Sequence, residues 1–223
     1  MQEGFIRANP FDYVRLPRAP RKVVTTFSDA QMEALLGAID TTTAAGFRDH
    51  TIILVLLDTA LRISELTGLD APDLYLEEIQ LKVMGKGNRE RIIPFGKQVQ
   101  RRLWKYLYHV RPQPPEALFL TTDGRRLSRH RIQKRLADYG RKAGITGVRV
   151  SPHTLRHSTA VRFLRNGGDA FSLQRLLGHS SLQMTRHYCE LADVDVQRMH
   201  TVASPVDNLS SKQLSRYHGS TPK

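Results

Sequence analysis

The chain has 223 residues, and 34 Lys and Arg set against 21 Asp and Glu give a formal charge of +13. That length suits one large domain or two small ones. No apolar run approaches the ~20 residues of a membrane-spanning helix, Met1 to Pro10 lacks the apolar stretch of a secretory signal, and one cysteine, Cys189, cannot form an internal disulfide. With no Cys/His cluster at zinc spacing, a disulfide scaffold, a membrane protein and a zinc finger are set aside, and the charge points to a polyanionic partner, nucleic acid first.

Residues 1–22 are basic and punctuated by Pro10, Pro17 and Pro20. Without a sustained apolar period they predict an extended leader with little core of its own. The folded part opens at Phe27. Ser28 and Gln31 have capping-box spacing and Phe27 and Met32 staple spacing, ahead of a helix through Leu35, Leu36 and Ile39. The apolar run 52–57 predicts a buried helix, and 64–69 a second. Ile79, Leu81 and Val83 then alternate with polar residues, and Ile92, Ile93 and Phe95 lie beyond Gly85-Lys86-Gly87-Asn88. This is the pattern of a two-stranded hairpin whose tip carries Lys86, Arg89 and Arg91.

Helical periodicity returns over 98–110, followed by a proline-rich loop and a short strand or bridge at 118–120. Residues 128–143 predict a helix with Ile132, Leu136, Tyr139 and Ala143 on one stripe. Between Arg125 and Lys142 the chain holds eight Lys and Arg and one acid, Asp138. A solvated helix face explains that on most proteins; on a chain this basic, Arg129, Arg131, Lys134 and Arg135 read as a phosphate-facing surface. Helices follow after Pro152, over 170–177 with Gly178 as its terminator, and over 182–199. Residues 201–223 are Ser-rich and predict a tail. The expected fold class is mainly α with a small antiparallel β-sheet (α+β).

Four segments carry the chemistry: Thr-Ala-Leu-Arg-Ile-Ser-Glu-Leu at 59–66, Gly-Lys-Gly at 85–87, His-Thr-Leu-Arg-His at 153–157, and Leu-Gly-His at 177–179 with Tyr188 nine residues on. Singly each is ordinary. A Gly-Lys-Gly turn is most often a solvated hairpin, and a helical tyrosine most often packing. Together they supply two guanidiniums, an ammonium, imidazoles and a phenol. Arginine is permanently charged and forks onto phosphate oxygens, so two arginines suit the extra charge of a phosphoryl transition state. A phenol with pKa near ~10 needs activation before it attacks phosphorus, and a lysine suits protonation of a departing alkoxide. No acidic cluster suits Mg²⁺.

In this order and spacing the motifs resemble those of the tyrosine recombinases of the phage-integrase and Xer type, over about 25–191. Arg62 resembles the family's first arginine, Lys86 its β-hairpin lysine, His153 and Arg156 its His-x-x-Arg box, His179 its second histidine and Tyr188 its nucleophile. Glu65 matches the supporting acidic position. The resemblance implies the family's catalytic-domain fold and its reaction. Tyr188 attacks a DNA phosphate to give a 3′-phosphotyrosyl enzyme, Lys86 protonates the 5′ oxygen, and Arg62, Arg156 and His179 hold the phosphate. His153 assists proton transfer or binds the phosphate, and no cofactor, metal or ATP takes part. Arg89, close to Lys86, is an expected DNA contact, and His157 is expected to serve helix packing. Thr59-Ala60 stands where the family commonly has Thr-Gly.

The resemblance also sets domain expectations: 1–24 as the linker from an N-terminal DNA-clamping domain absent from this sequence, 25–200 as the catalytic domain, and 201–223 as a tail, disordered or docked on a neighbouring subunit. The implied partners are double-stranded DNA and further copies of the chain, a tetramer on DNA, in the cytoplasm with no membrane. Competing readings are relaxation of the type IB topoisomerase kind and a DNA-binding relative without activity. Cys189 is a further candidate nucleophile, without a base placed by motif.

Overall fold

A computed structural model describes residues 25–85, 90–113, 116–192 and 196–207. The leader 1–24, Lys86, Arg89 and the end of the tail lie outside the described residues.

Helix α1 spans Asp29–Gly37 and starts as expected: the Ser28 hydroxyl accepts from Gln31 N–H at 3.2 Å, and Gln31 Oε1 accepts from Ser28 N–H at 3.0 Å. Phe27 and Met32 are both buried. Phe27 N–H also donates to Ser158 Oγ at 2.8 Å, which fastens the start of the domain to a distant helix. Helix α2, Ala44–Thr59, is longer than the apolar run that announces it, because Thr43 caps it more than two turns earlier by accepting from Gly46 N–H. Arg48 and Asp49 are buried in it, paired at 2.7 Å, a use of charge that the apolar pattern does not reveal.

Helix α3, Ile63–Gly68, leads through a short 3₁₀ turn to the sheet of β1 (Leu74–Tyr75), β2 (Gln80–Met84) and β3 (Glu90–Pro94). All pairings are antiparallel, in the order β1-β2-β3, and Leu81 faces Ile93 while Val83 faces Arg91. The hairpin is as expected; β1 is an addition, two residues too short to show alternation. Helix α4, Lys97–Lys105, continues into a wider π-type turn over Tyr106–Val110, where Arg111 N–H reaches back five residues to Tyr106 O at 2.8 Å. The periodicity over 98–110 predicts a single α-helix, and the π-type turn departs from it. The buried Arg111 donates to the Ala117 carbonyl, and the wider turn keeps it aimed at that loop. Residues 117–120 form isolated bridges rather than a strand.

Helices α5 (Arg129–Lys142), α6 (Pro152–Arg165), α7 (Ala170–Leu177), α8 (Leu182–Ala192) and α9 (Val196–Ala203) complete the domain. The helical stretch expected over 182–199 is therefore two helices, and α9 runs across the boundary drawn at residue 200. Helix α6 is central and packs against α2, α7 and α8. The core around it includes Leu35, Ile52, Leu56, Leu61, Leu81, Leu103, Leu155 and Leu177, each worth roughly 1.5–3 kcal/mol on burial. Among the described residues no helix is long and apolar enough to cross a membrane.

Candidate active site

The site forms where the ends of α2 and α7 meet the first turns of α3 and α6. Helix α2 stops at Ala60, which adopts the left-handed conformation with φ 51° and ψ 27°. This turns the chain so that Leu61 is buried and Arg62 becomes the N-cap of α3. Glu65, one turn on, is 8% exposed. It accepts from Arg62 N–H at 2.8 Å and from Arg62 Nη1 at 3.0 Å, so the backbone and side chain of Arg62 are fixed by one carboxylate.

Glu65 has a second partner that the sequence reading leaves at the hairpin tip. Arg91 of β3 turns inward and forks onto both carboxylate oxygens, each at 3.0 Å. Burial alone would raise the Glu65 carboxyl; hydrogen bonds from Arg91 and then from the Arg62 backbone outweigh it and hold the group below its ordinary range, as a carboxylate. The signal for Arg91 was present in the alternation, since it shares a strand face with buried Ile93. A side chain at Gly178 would bring its Cβ within 3.0 Å of the Arg91 guanidinium carbon, and Gly178 itself has φ 62°. Close approach and backbone conformation both demand glycine there.

Helix α6 begins with the Ser151 hydroxyl accepting from Thr154 N–H and Pro152 in its first turn. Arg156 follows on the inward face, 6% exposed. It donates from Nη1 to the Ala60 carbonyl and from Nη2 to the Leu177 carbonyl at 2.6 Å, so one guanidinium ties the end of α2 to the end of α7. Burial, with Arg62 nearby, lowers its pKa to about 10, which still leaves it cationic at neutral pH.

His179 follows Gly178 directly. Its Nε2 is 3.5 Å from Arg156 Nη2 and its Nδ1 is 3.1 Å from the hydroxyl of buried Thr185. Burial, then Arg156 and Arg62, push its pKa down to about 4, so the ring is neutral at pH 7. The Tyr188 ring stacks beside it at a centroid distance of 6.2 Å and an angle of 19°. Tyr188 is 6% exposed. Burial raises its hydroxyl pKa, while Arg156 and Arg62 pull the other way.

The Tyr188 hydroxyl lies 2.7 Å from His157 Nδ1. His157, read from the sequence as packing, thus touches the candidate nucleophile. His153, one turn earlier, is exposed on the wall of a cleft of about 710 Å³ that His157, Ser151, Arg149 and Gln133 also line. The structure therefore brings Arg62, Glu65, Arg156, His179 and Tyr188 together, and sets His153 at the rim. Lys86 and Arg89 fall outside the described residues. On α5, Arg129, Arg131 and Lys134 are exposed, whereas Arg135 is half-buried and committed to the Asp49 carboxylate and the Tyr139 hydroxyl. Arg135 is spent on the fold because α5 packs its Asp49-facing side inward.

Residues 25–194 match the model of the phage integrase family. The tyrosine recombinase XerD of Staphylococcus epidermidis is 36% identical over 210 residues, which cover 92% of this chain and 71% of that protein. The tyrosine recombinase XerC of Chlamydia muridarum is 35% identical over 209 residues, 92% of this chain and 66% of that one. Among solved structures, XerA recombinase aligns with a TM-score of 0.68 at 30% identity, covering 86% of this chain and 67% of that one. XerH site-specific recombinase, bound to palindromic difH substrate in a post-cleavage complex, aligns with a TM-score of 0.67 at 25% identity, over 84% and 54%.

Proposed function

Since this chain belongs to the phage integrase family of tyrosine recombinases, we propose that Tyr188 is the nucleophile with which it cuts and rejoins DNA. The protein is a site-specific recombinase. In the proposed mechanism Arg62 and Arg156 grip the non-bridging oxygens of one phosphodiester and meet the charge that develops on them. Neutral His179 adds a hydrogen bond, and His153 contributes from the rim of the cleft. Tyr188 Oη attacks phosphorus, and Lys86 gives a proton to the departing 5′ oxygen. The phosphotyrosyl ester conserves the bond, so a 5′-hydroxyl from a partner strand rejoins it without a nucleotide or metal.

The observation that carries this reading is convergence from four separate elements. The buried Arg156 contacts His179, His179 stacks on Tyr188, and Glu65 holds Arg62 from behind. A surface ion pair or a packing tyrosine needs none of this. The exposed cations of α5 supply the electrostatic grip on the duplex, and Arg89 adds a further contact. Exchange between two duplexes calls for a tetramer on DNA, with residues 201–223 reaching a neighbouring subunit, 1–24 leading from a clamp domain, and the work done in the cytoplasm.

Covalent trapping tests the proposal. The protein is incubated with nicked suicide duplexes from the ends of its own genetic element, beside Tyr188→Phe. The expected result is an SDS-resistant protein–DNA adduct that Tyr188→Phe abolishes while still binding the duplex. An adduct that persists in Tyr188→Phe would move the nucleophile elsewhere, Cys189 first.

A further inference from the structure

We propose that His157 is a catalytic residue of this recombinase, the base that takes the Tyr188 proton during cleavage and returns it during rejoining. The inference rests on Tyr188 being the nucleophile. Three observations lead to it. His157 Nδ1 is 2.7 Å from Tyr188 Oη, a direct hydrogen bond to the reacting atom. The His157 side chain also borders the 710 Å³ cleft, so a proton accepted on the tyrosine side has a route to solvent. His153, one turn earlier on α6, is exposed at the rim of that cleft, and the Tyr188 ring contacts are made by His157, His179 and His187.

The protonation states agree with the geometry. Burial, and then His153, Arg156 and His187, lower the His157 pKa, so the ring is neutral at pH 7 and its Nδ1 is free to accept. His179, also against the Tyr188 ring, already has its Nδ1 on Thr185 and its Nε2 facing the Arg156 guanidinium. Burial raises the Tyr188 pKa, so the phenol does not ionise unaided. Arg156 and Arg62 favour the phenolate once it forms.

The step balances as follows. The Tyr188 Oη–H bond breaks and its proton passes to His157 Nδ1. The Oη–P bond forms, the P–O5′ bond breaks, and O5′ takes a proton from the general acid. In the reverse step a 5′-hydroxyl attacks phosphorus, and His157 gives the proton back to Oη.

The test uses the whole chain and two nicked duplexes, one with an ordinary scissile phosphate and one with sulfur replacing the bridging 5′ oxygen. A thiolate leaves without protonation, so the sulfur substrate relieves loss of the acid and not loss of the base. His157→Ala and His157→Asn are compared with wild type over a pH series, with thermal unfolding measured on each variant. His157→Asn keeps a polar group against the tyrosine but cannot take up a proton. Both variants are expected to slow adduct formation about 10²-fold or more at neutral pH on both substrates, with the deficit shrinking as pH rises. Lys86→Ala is expected to regain most of its rate on the sulfur substrate. A folded His157→Asn that cleaves at the wild-type rate overturns the proposal, as does a deficit that is equal at all pH values. If the wild-type chain forms no adduct on either duplex, the nucleophile assignment fails and this inference falls with it.

Discussion

Arg91 and Glu65 face each other as a two-pronged ion pair, guanidinium to carboxylate, with both contacts at 3.0 Å and the side chains only 18% and 5% exposed. At that burial, removing one partner leaves a charge with half its compensation. Arg91→Ala is therefore expected to lower the unfolding free energy by about 2–4 kcal/mol. Arg91→Lys keeps the charge but loses the fork, and about half of that cost remains. Urea unfolding of the three proteins checks this, and an Arg91→Ala variant of wild-type stability would mean that Arg62 alone satisfies Glu65.

Ala60 is a second departure from what the sequence leads one to expect. Its left-handed conformation costs about 1–2 kcal/mol for a residue with a side chain. Ala60 is also fully buried. Ala60→Gly relieves the strain but gives up a buried methyl worth ~0.8 kcal/mol and adds about 0.4–1 kcal/mol of unfolded-chain entropy. The opposing contributions nearly cancel, and the expected change is within about 1 kcal/mol of zero. Ala60→Val, branched at a positive φ and overpacked, is expected to cost about 3 kcal/mol and to weaken the Arg156 anchor on the Ala60 carbonyl. Thermal unfolding of both variants distinguishes them; a tolerated valine would contradict the left-handed backbone.

The architecture was legible where one local rule decides it. Ser28 and Gln31 spell a capping box, Gly178 a helix end, and the alternation of Leu81 and Val83 a strand, and each forms as expected. The family motifs, read by their order along the chain, name Arg62, Glu65, Arg156, His179 and Tyr188, which the fold brings together. What stayed hidden depends on three-dimensional partners. Arg135 groups with its exposed neighbours in the sequence because composition cannot show that Asp49, 86 positions away, claims it. His157 reads as packing because nothing local says that α8 brings the Tyr188 hydroxyl to it. Sequence position alone puts Arg91 at the hairpin tip, although its pairing with Val83 and its shared face with Ile93 turn it inward.

The buried imidazoles predict acid sensitivity. Burial, and then neighbouring arginines, lower the pKa of both His179 and His50 to about 4, from 6.5 in the unfolded chain. Both groups are depressed on folding, so their contribution is full above about pH 6.5 and is lost as pH falls toward 4, where only the unfolded chain has been taking up protons. Each contributes about 1–2 kcal/mol after allowance for partial exposure, and His157 adds in the same direction. Urea unfolding at pH 7, 5.5 and 4.5 is expected to show stability falling across that window. His50→Phe should flatten the slope without touching the active site. A flat profile in the wild type would mean that these rings are solvated.

The cations of α5 divide into two groups that a salt series separates. Arg129, Arg131 and Lys134 are exposed and free to meet phosphates. Replacing any one with Ala is expected to weaken DNA binding at all sequences alike and to reduce the slope of log affinity against log salt by about 0.9, the share of one released counterion. Arg135 behaves differently because its guanidinium holds the buried Asp49 and the Tyr139 hydroxyl. Asp49 retains Arg48 at 2.7 Å, so the carboxylate is not left wholly unpaired. Arg135→Ala should therefore cost about 1–2 kcal/mol of stability and leave the salt slope unchanged. Binding titrations between about 50 and 200 mM salt, run beside urea unfolding, read both quantities for each variant. A reduced slope in Arg135→Ala with full stability would return that residue to the DNA-facing surface.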